Sequence, residues 1–89
     1  MTNFTISKKT IQKLTKMEHE YYNLASGSDK ARSLSMKIAK FVTNNNIDIW
    51  VDQIVSSVCL RDKGKSATDY ATVYAMLALA GVTLKEEEE

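Results

Sequence analysis

The chain has 89 residues, 44% of them apolar and 26% charged, with twelve Lys and Arg against eleven Asp and Glu. That length makes one domain with a small core, and the apolar content with a net charge of +1 excludes an intrinsically disordered chain. A single cysteine, Cys59, excludes an internal disulfide framework and a cysteine-cluster zinc site, and suits a reducing compartment.

The opening MTNFTISKK has no apolar core behind its lysines, so it does not read as a secretory signal. The longest uncharged apolar stretch, Val73 to Val82, is about half of what a membrane span needs. The expectation is a cytoplasmic protein with no membrane partner.

There is no proline, and Gly27, Gly64 and Gly81 each fall where an apolar pattern stops. The expected fold is all-α, a compact bundle of four short helices at 6–25, 29–43, 47–60 and 67–80. They form one helical domain over 1–84, followed by an acidic tail at 85–89.

In the first helix Ile11, Leu14, Met17, Tyr21 and Leu24 recur at spacings of three and four, with Thr5 or Ser7 available as a cap. Ser26 to Asp29 combine a stop with a new cap, and Ala31, Leu34, Ile38, Phe41 and Val42 carry the second helix. Asn44, Asn45 and Asn46 then mark a turn, because asparagine tolerates left-handed geometry.

Residues 47–52 alternate as a strand does, yet Ile47, Trp50, Val51, Ile54 and Val58 also fit one helical face. Helix is the reading taken, because the alternation fails after Asp52 and a lone strand has no partner. Ser66, Ala67, Thr68 and Asp69 resemble a capping box that opens the fourth helix. Beyond Thr72 that helix holds only Val, Tyr, Ala, Met and Leu up to Gly81, so it lacks a polar face. It is either the central helix of the bundle or part of a subunit interface. Its small sector of Ala71, Ala75 and Ala78, with Met76 and Leu79 beside it, is the surface assigned to self-association.

No catalytic constellation is expected. His19 and Cys59 are each unique, but His19 falls opposite the apolar stripe of its helix while Cys59 borders an apolar face. Asp48 and Asp52 stand one helical turn apart without further ligands to complete a cation shell, and Lys16 takes the place of the carboxylate in a Glu-x-x-His pair. No metal and no cofactor are implied. Gly64, Lys65 and Ser66 read like the end of a phosphate loop, but Cys59 stands where that motif needs its first glycine. What survives is an anion contact at Lys63, Lys65 and Ser66, if these flank a helix N-terminus.

Charge is unevenly placed. Residues 1–40 hold eight cationic side chains against Glu18, Glu20 and Asp29, a net of +5, and the remainder nets −4. Lys9, Lys13 and Lys16 share one arc of the first helix, and Lys30, Lys37 and Lys40 share one of the second. In a helical hairpin these arcs merge into one basic patch. Tyr22, off the apolar stripe, is the aromatic candidate for a contact beside it; Tyr21, Tyr70 and Tyr74 read as core.

The functional expectation is a small non-catalytic binding protein. It acts by protein–protein contact, as inhibitors, immunity-type proteins and phage or plasmid regulators do, and it self-associates. The alternative is a nucleotide or nucleic-acid binder using the basic face, although lysine outnumbers arginine ten to two where base reading relies on the arginine fork.

Overall fold

Ser7 ends one element and starts the next. Its hydroxyl accepts the backbone N–H of Thr10 at 3.1 Å, capping a helix, while the residues before it run extended. In the computed structural model, which describes residues 4–86, the order is β1 (Phe4–Ser7), α1 (Lys8–Tyr22), α2 (Asp29–Asn44), α3 (Ile49–Arg61), α4 (Tyr70–Leu79) and β2 (Val82–Lys85).

The four expected helices are present, and a short two-stranded parallel sheet joins the two ends of the chain, with Phe4 opposite Val82 and Ile6 opposite Leu84. The first helix therefore starts later than expected. Thr5 is exposed and Ile6 is buried, the alternation of a half-buried strand, and the backbone partner that makes this possible lies at the other end of the chain. The strand character anticipated at 47–52 is not found there. Val51, Val55, Val58 and Cys59 are all buried along α3, a spacing that serves one side of a helix.

The turns follow local chemistry. Asn23 closes α1 through its side-chain amide on the His19 carbonyl at 2.7 Å. Ser28 caps α2 by accepting from Ala31 N at 3.2 Å. After α2, Asn46 takes a positive φ of 53°, and the Ile47 N–H returns to the Val42 carbonyl at 3.0 Å, which turns the Ile47 side chain into the core. The fourth helix opens at Tyr70, not at 67. Its N-cap is Asp69, which accepts from Ala71 N and Thr72 N at 3.1 and 3.4 Å and from the Thr72 hydroxyl at 2.8 Å. Ser66 plays no part in that cap; an acceptor three residues nearer the helix has displaced it.

The core gathers Ile6, Ile11, Leu14, Ile38, Ile47, Val51, Val55, Val58, Cys59, Val73, Leu77 and Val82. Burying each such aliphatic side chain is worth about 1.5–3 kcal/mol. The helix at the centre is α1, which packs against α2, α3 and β1. The other expectation for the greasy helix, a central position, is not met: α4 lies across α3 and β2 with one side turned outward. The tail expected from 85 is partly structured, since Lys85 closes β2 and the Glu86 carboxylate accepts from Lys8 Nζ at 2.8 Å. Residues 87–89 lie outside the described residues.

Candidate functional site

Of α4, only Val73 and Leu77 are fully buried. Ala71, Ala75, Met76, Ala78 and Leu79 are exposed, Leu79 to 81% of its surface. Ala71, Ala75 and Ala78 follow one another at four and three residues and so share one face, with Met76 and Leu79 alongside. This is a mainly apolar surface in which Thr72, between Leu79 and Met76, is the polar side chain and turns its hydroxyl to Asp69, built from residues that in a central helix would be packed. It is unusual for a bulky aliphatic chain such as Leu79 to end an uncharged, largely apolar helix in water.

The basic residues are placed as a partial patch. Lys9, Lys13 and Lys16 are exposed on α1, and Lys37 and Lys40 on α2. Lys13 and Lys16 line a cavity of about 400 Å³ together with Met17, Glu20 and Phe41, so the end of α2 that carries Lys40 and Phe41 lies beside them. Glu20 stands inside this group and offsets part of its charge. Lys30 lies in the first turn of α2, at the opposite end from Lys40.

The loop before α4 is organised around a carboxylate. Asp62 is buried and accepts from Arg61 Nε and Nη2 at 3.1 and 3.3 Å, from Lys65 Nζ at 3.3 Å and from the Asp69 N–H at 3.0 Å. The Arg61 guanidinium first, then the Asp69 amide, hold the Asp62 carboxyl well below the usual carboxylate range. Gly64, at a φ of 90°, presents its N–H to the Asn23 side-chain oxygen at 2.8 Å and ties this loop to the end of α1. Lys65 is thus engaged by an internal carboxylate, Lys63 and Ser66 are exposed, and Asp69 occupies the helix N-terminus that an anion would need. The structure does not assemble Lys63, Lys65 and Ser66 into an anion site.

Cys59 is sealed between α1 and the segment before α4. Its thiol donates to the Thr15 carbonyl at 3.4 Å and accepts from the Thr68 hydroxyl at 3.4 Å, and burial pushes it up to about 11. His19 is turned to the end of α1, where its ring faces the Asn23 amide at 3.4 Å. No group of three or more His, Cys, Asp or Glu among the described residues is placed to hold a metal ion, and no described helix is long and apolar enough to cross a membrane.

One feature was missed by reading the sequence. Between α1, α2 and α3 lies a cleft of about 400 Å³ with two carboxyl groups on its lining, Glu18 from α1 and Asp52 from α3. Ile38, Ala39 and Val42 of α2, Ile49 of α3, and the rings of Tyr21 and Tyr22 supply apolar lining. Tyr22 meets Tyr21 edge to face at 5.2 Å, so this candidate contact residue belongs to the cleft rather than to the lysine arc. Glu18 is only 4% exposed, and Glu18 Oε2 and Asp52 Oδ1 are buried without a hydrogen-bond donor. Burial, and then the neighbouring Asp52 carboxyl, push Glu18 up to about 9, opposed by the Ser56 hydroxyl, which favours the charged form. A signal was available: Glu18 follows Ile11 and Leu14 at seven and four residues, on the buried stripe itself.

The chain matches no known family model, no curated protein and no solved structure. The functional reading therefore rests on these surfaces alone.

Proposed function

We propose that this chain is a small non-catalytic binding protein that acts by protein–protein contact and self-associates through the outer face of α4. One observation carries the reading: a helix whose only polar group after Thr72 is the Tyr74 hydroxyl, taken up by Gln12, keeps Ala71, Ala75, Met76, Ala78 and Leu79 in contact with solvent. The alanines let a second helix approach closely, and Met76 and Leu79 supply the apolar area that such an approach covers. A second copy is the natural occupant, because a face of small and aliphatic side chains can meet its own copy about a two-fold axis.

The size of the face sets the strength of the contact. A ten-residue helix is about 15 Å long, and its outer side covers less than the roughly 800 Å² per partner of a standard stable interface. The contact therefore covers less than a standard stable interface, and the same face is free to exchange onto a larger partner. A cytoplasmic setting suits the single buried thiol.

Light scattering coupled to size exclusion, run over a range of concentrations, tests this. The wild type is expected to shift from monomer to dimer as concentration rises, and Leu79→Glu or Ala75→Glu to remain monomeric with an unchanged helical spectrum. A wild type that stays monomeric up to millimolar concentration, or a dimer unaffected by both substitutions, overturns the reading.

A further inference from the structure

The cleft between α1, α2 and α3 is independent of the α4 face and has its own chemistry. Glu18 is more than nine-tenths buried, its Oε2 has no donor, and it is one of the residues that line the cleft. Asp52 Oδ1 is in the same state, and the Ser56 hydroxyl lines the cleft with them. The Ser56 hydroxyl favours charged Glu18, yet no donor among the described residues meets Glu18 Oε2 or Asp52 Oδ1, and no cationic side chain lines the cleft.

The group that fits is an organic cation bearing several donors. An anion is excluded by the carboxyls. A metal ion finds two carboxylates, where calcium or magnesium needs six or more oxygen ligands in a defined shell. A guanidinium is planar, presents parallel N–H donors to two acceptors, and is weakly hydrated, so its transfer into an apolar-walled cleft costs less than that of an ammonium. Its faces are suited to the tyrosine rings that line the same space. The volume, about 400 Å³, lies within the range of small-molecule pockets.

We propose that this cleft is a binding site for a guanidinium group, held by the carboxyls of Glu18 and Asp52 between the Tyr21 and Tyr22 rings and the aliphatic side of α2. The group arrives either on a free small molecule or as the arginine side chain of a partner, and the recognition chemistry is the same. Binding releases to solvent the proton that burial keeps on Glu18. The titratable groups around Glu18 are Tyr21 and Tyr22 on α1 and Asp52 and Cys59 on α3; α2 contributes only Ser35 and Thr43 as polar lining. Burial holds the Cys59 thiol up at about 11, so the proton released in this range is the one that burial keeps on Glu18.

Two-dimensional amide NMR of the full chain reads the result, with agmatine as the free guanidinium, a short uncharged peptide with one central arginine as the attached one, and cadaverine as the ammonium comparison. Agmatine, the peptide or both are expected to give saturable shifts at Tyr22, Val42 and Ser56, with cadaverine at least about tenfold weaker. Affinity should rise with pH between 6 and 9, by up to about tenfold per unit for one released proton. Tighter binding of agmatine identifies a small-molecule site, and tighter binding of the peptide identifies a partner's arginine; both support the assignment. Glu18→Gln should weaken the titration about tenfold or more while leaving the fold intact, and Glu20→Gln, in the other cavity, should not. The proposal is overturned if neither guanidinium probe saturates at millimolar concentration, if cadaverine matches agmatine, or if Glu18→Gln titrates as the wild type does.

Discussion

The carboxyl groups of Glu18 on α1 and Asp52 on α3 meet across the helix pair that forms the centre of the molecule, and each keeps a buried oxygen with no donor. An isolated pair of charges in such a place is costly, so Glu18 retains its proton at neutral pH. That ties the stability of the fold to pH.

The sign follows from proton counting. Glu18 titrates near 4.5 in the unfolded chain and near 9 in the folded one, so between those values the folded state holds the extra proton. Its contribution is therefore fully present below about pH 4.5 and is lost as pH rises towards 9. Urea unfolding from pH 5 to 9 should show stability falling with pH. Glu18→Gln should flatten that slope and be the more stable protein at pH 8, by a few kcal/mol at most (~2–4). A wild-type slope that survives the substitution would place the titrating group elsewhere.

At the acid end a different residue controls the outcome. Asp62 has its carboxyl lowered by Arg61, the Asp69 amide and Lys65, so its contribution is present above the ordinary carboxylate range and is lost as pH falls below about 4. The expected loss on Asp62→Asn exceeds that on Asp29→Asn, whose carboxylate pairs with Arg32 in full solvent. Thermal melts at pH 7 compare the two, and the gap should begin to narrow only as pH falls below about 4, where the unfolded chain takes up a proton at Asp62 that the folded chain still excludes.

Two leucines two residues apart on α4 separate packing from exposure. Leu77 is fully buried and Leu79 is 81% exposed. Leu77→Ala should cost about 2–5 kcal/mol in chemical denaturation, and Leu79→Ala about 0.5 kcal/mol or less at concentrations where the chain is monomeric. Equal losses would mean that α4 is covered on both sides.

Cys59 should be inert while the chain is folded. With its thiol raised to about 11 and no exposed surface, it reacts with a thiol reagent at pH 8 only through opening of the structure. The labelling rate should rise with denaturant in step with unfolding, and a rapid stoichiometric reaction in buffer would show that α4 and its leading segment detach from α3.

Helix caps offer a local check on where elements begin. Ser7→Ala and Ser28→Ala each remove an acceptor from a first-turn amide and should cost about 1 kcal/mol, whereas Ser66→Ala should fall within about 0.5 kcal/mol because Asp69 caps α4. Denaturation midpoints of the three variants decide it.

Residues acting over three or four positions were readable in one dimension. Ile11 and Leu14, Ala31 and Ile38, and Val51, Val55 and Val58 announce their helices by spacing, and Gly27, Gly64 and the Asn44–Asn46 run announce the breaks, because hydrogen bonds and side-chain neighbours in a helix are local. The resemblance of Ser66 to a cap misled for the same reason: Asp69, three residues on, satisfies the same amides better.

The sequence by itself determined four helices, their buried stripes and an apolar fourth helix with no polar half. Only the tertiary structure decided that α1 and not α4 sits at the centre, that Phe4–Ser7 pairs with Val82–Lys85, and that Glu18 meets Asp52. The physical reason is the same in each case. Strand pairing, burial of a helix face and the meeting of two carboxyls depend on which distant segment closes against which, and no periodicity within either segment carries that information.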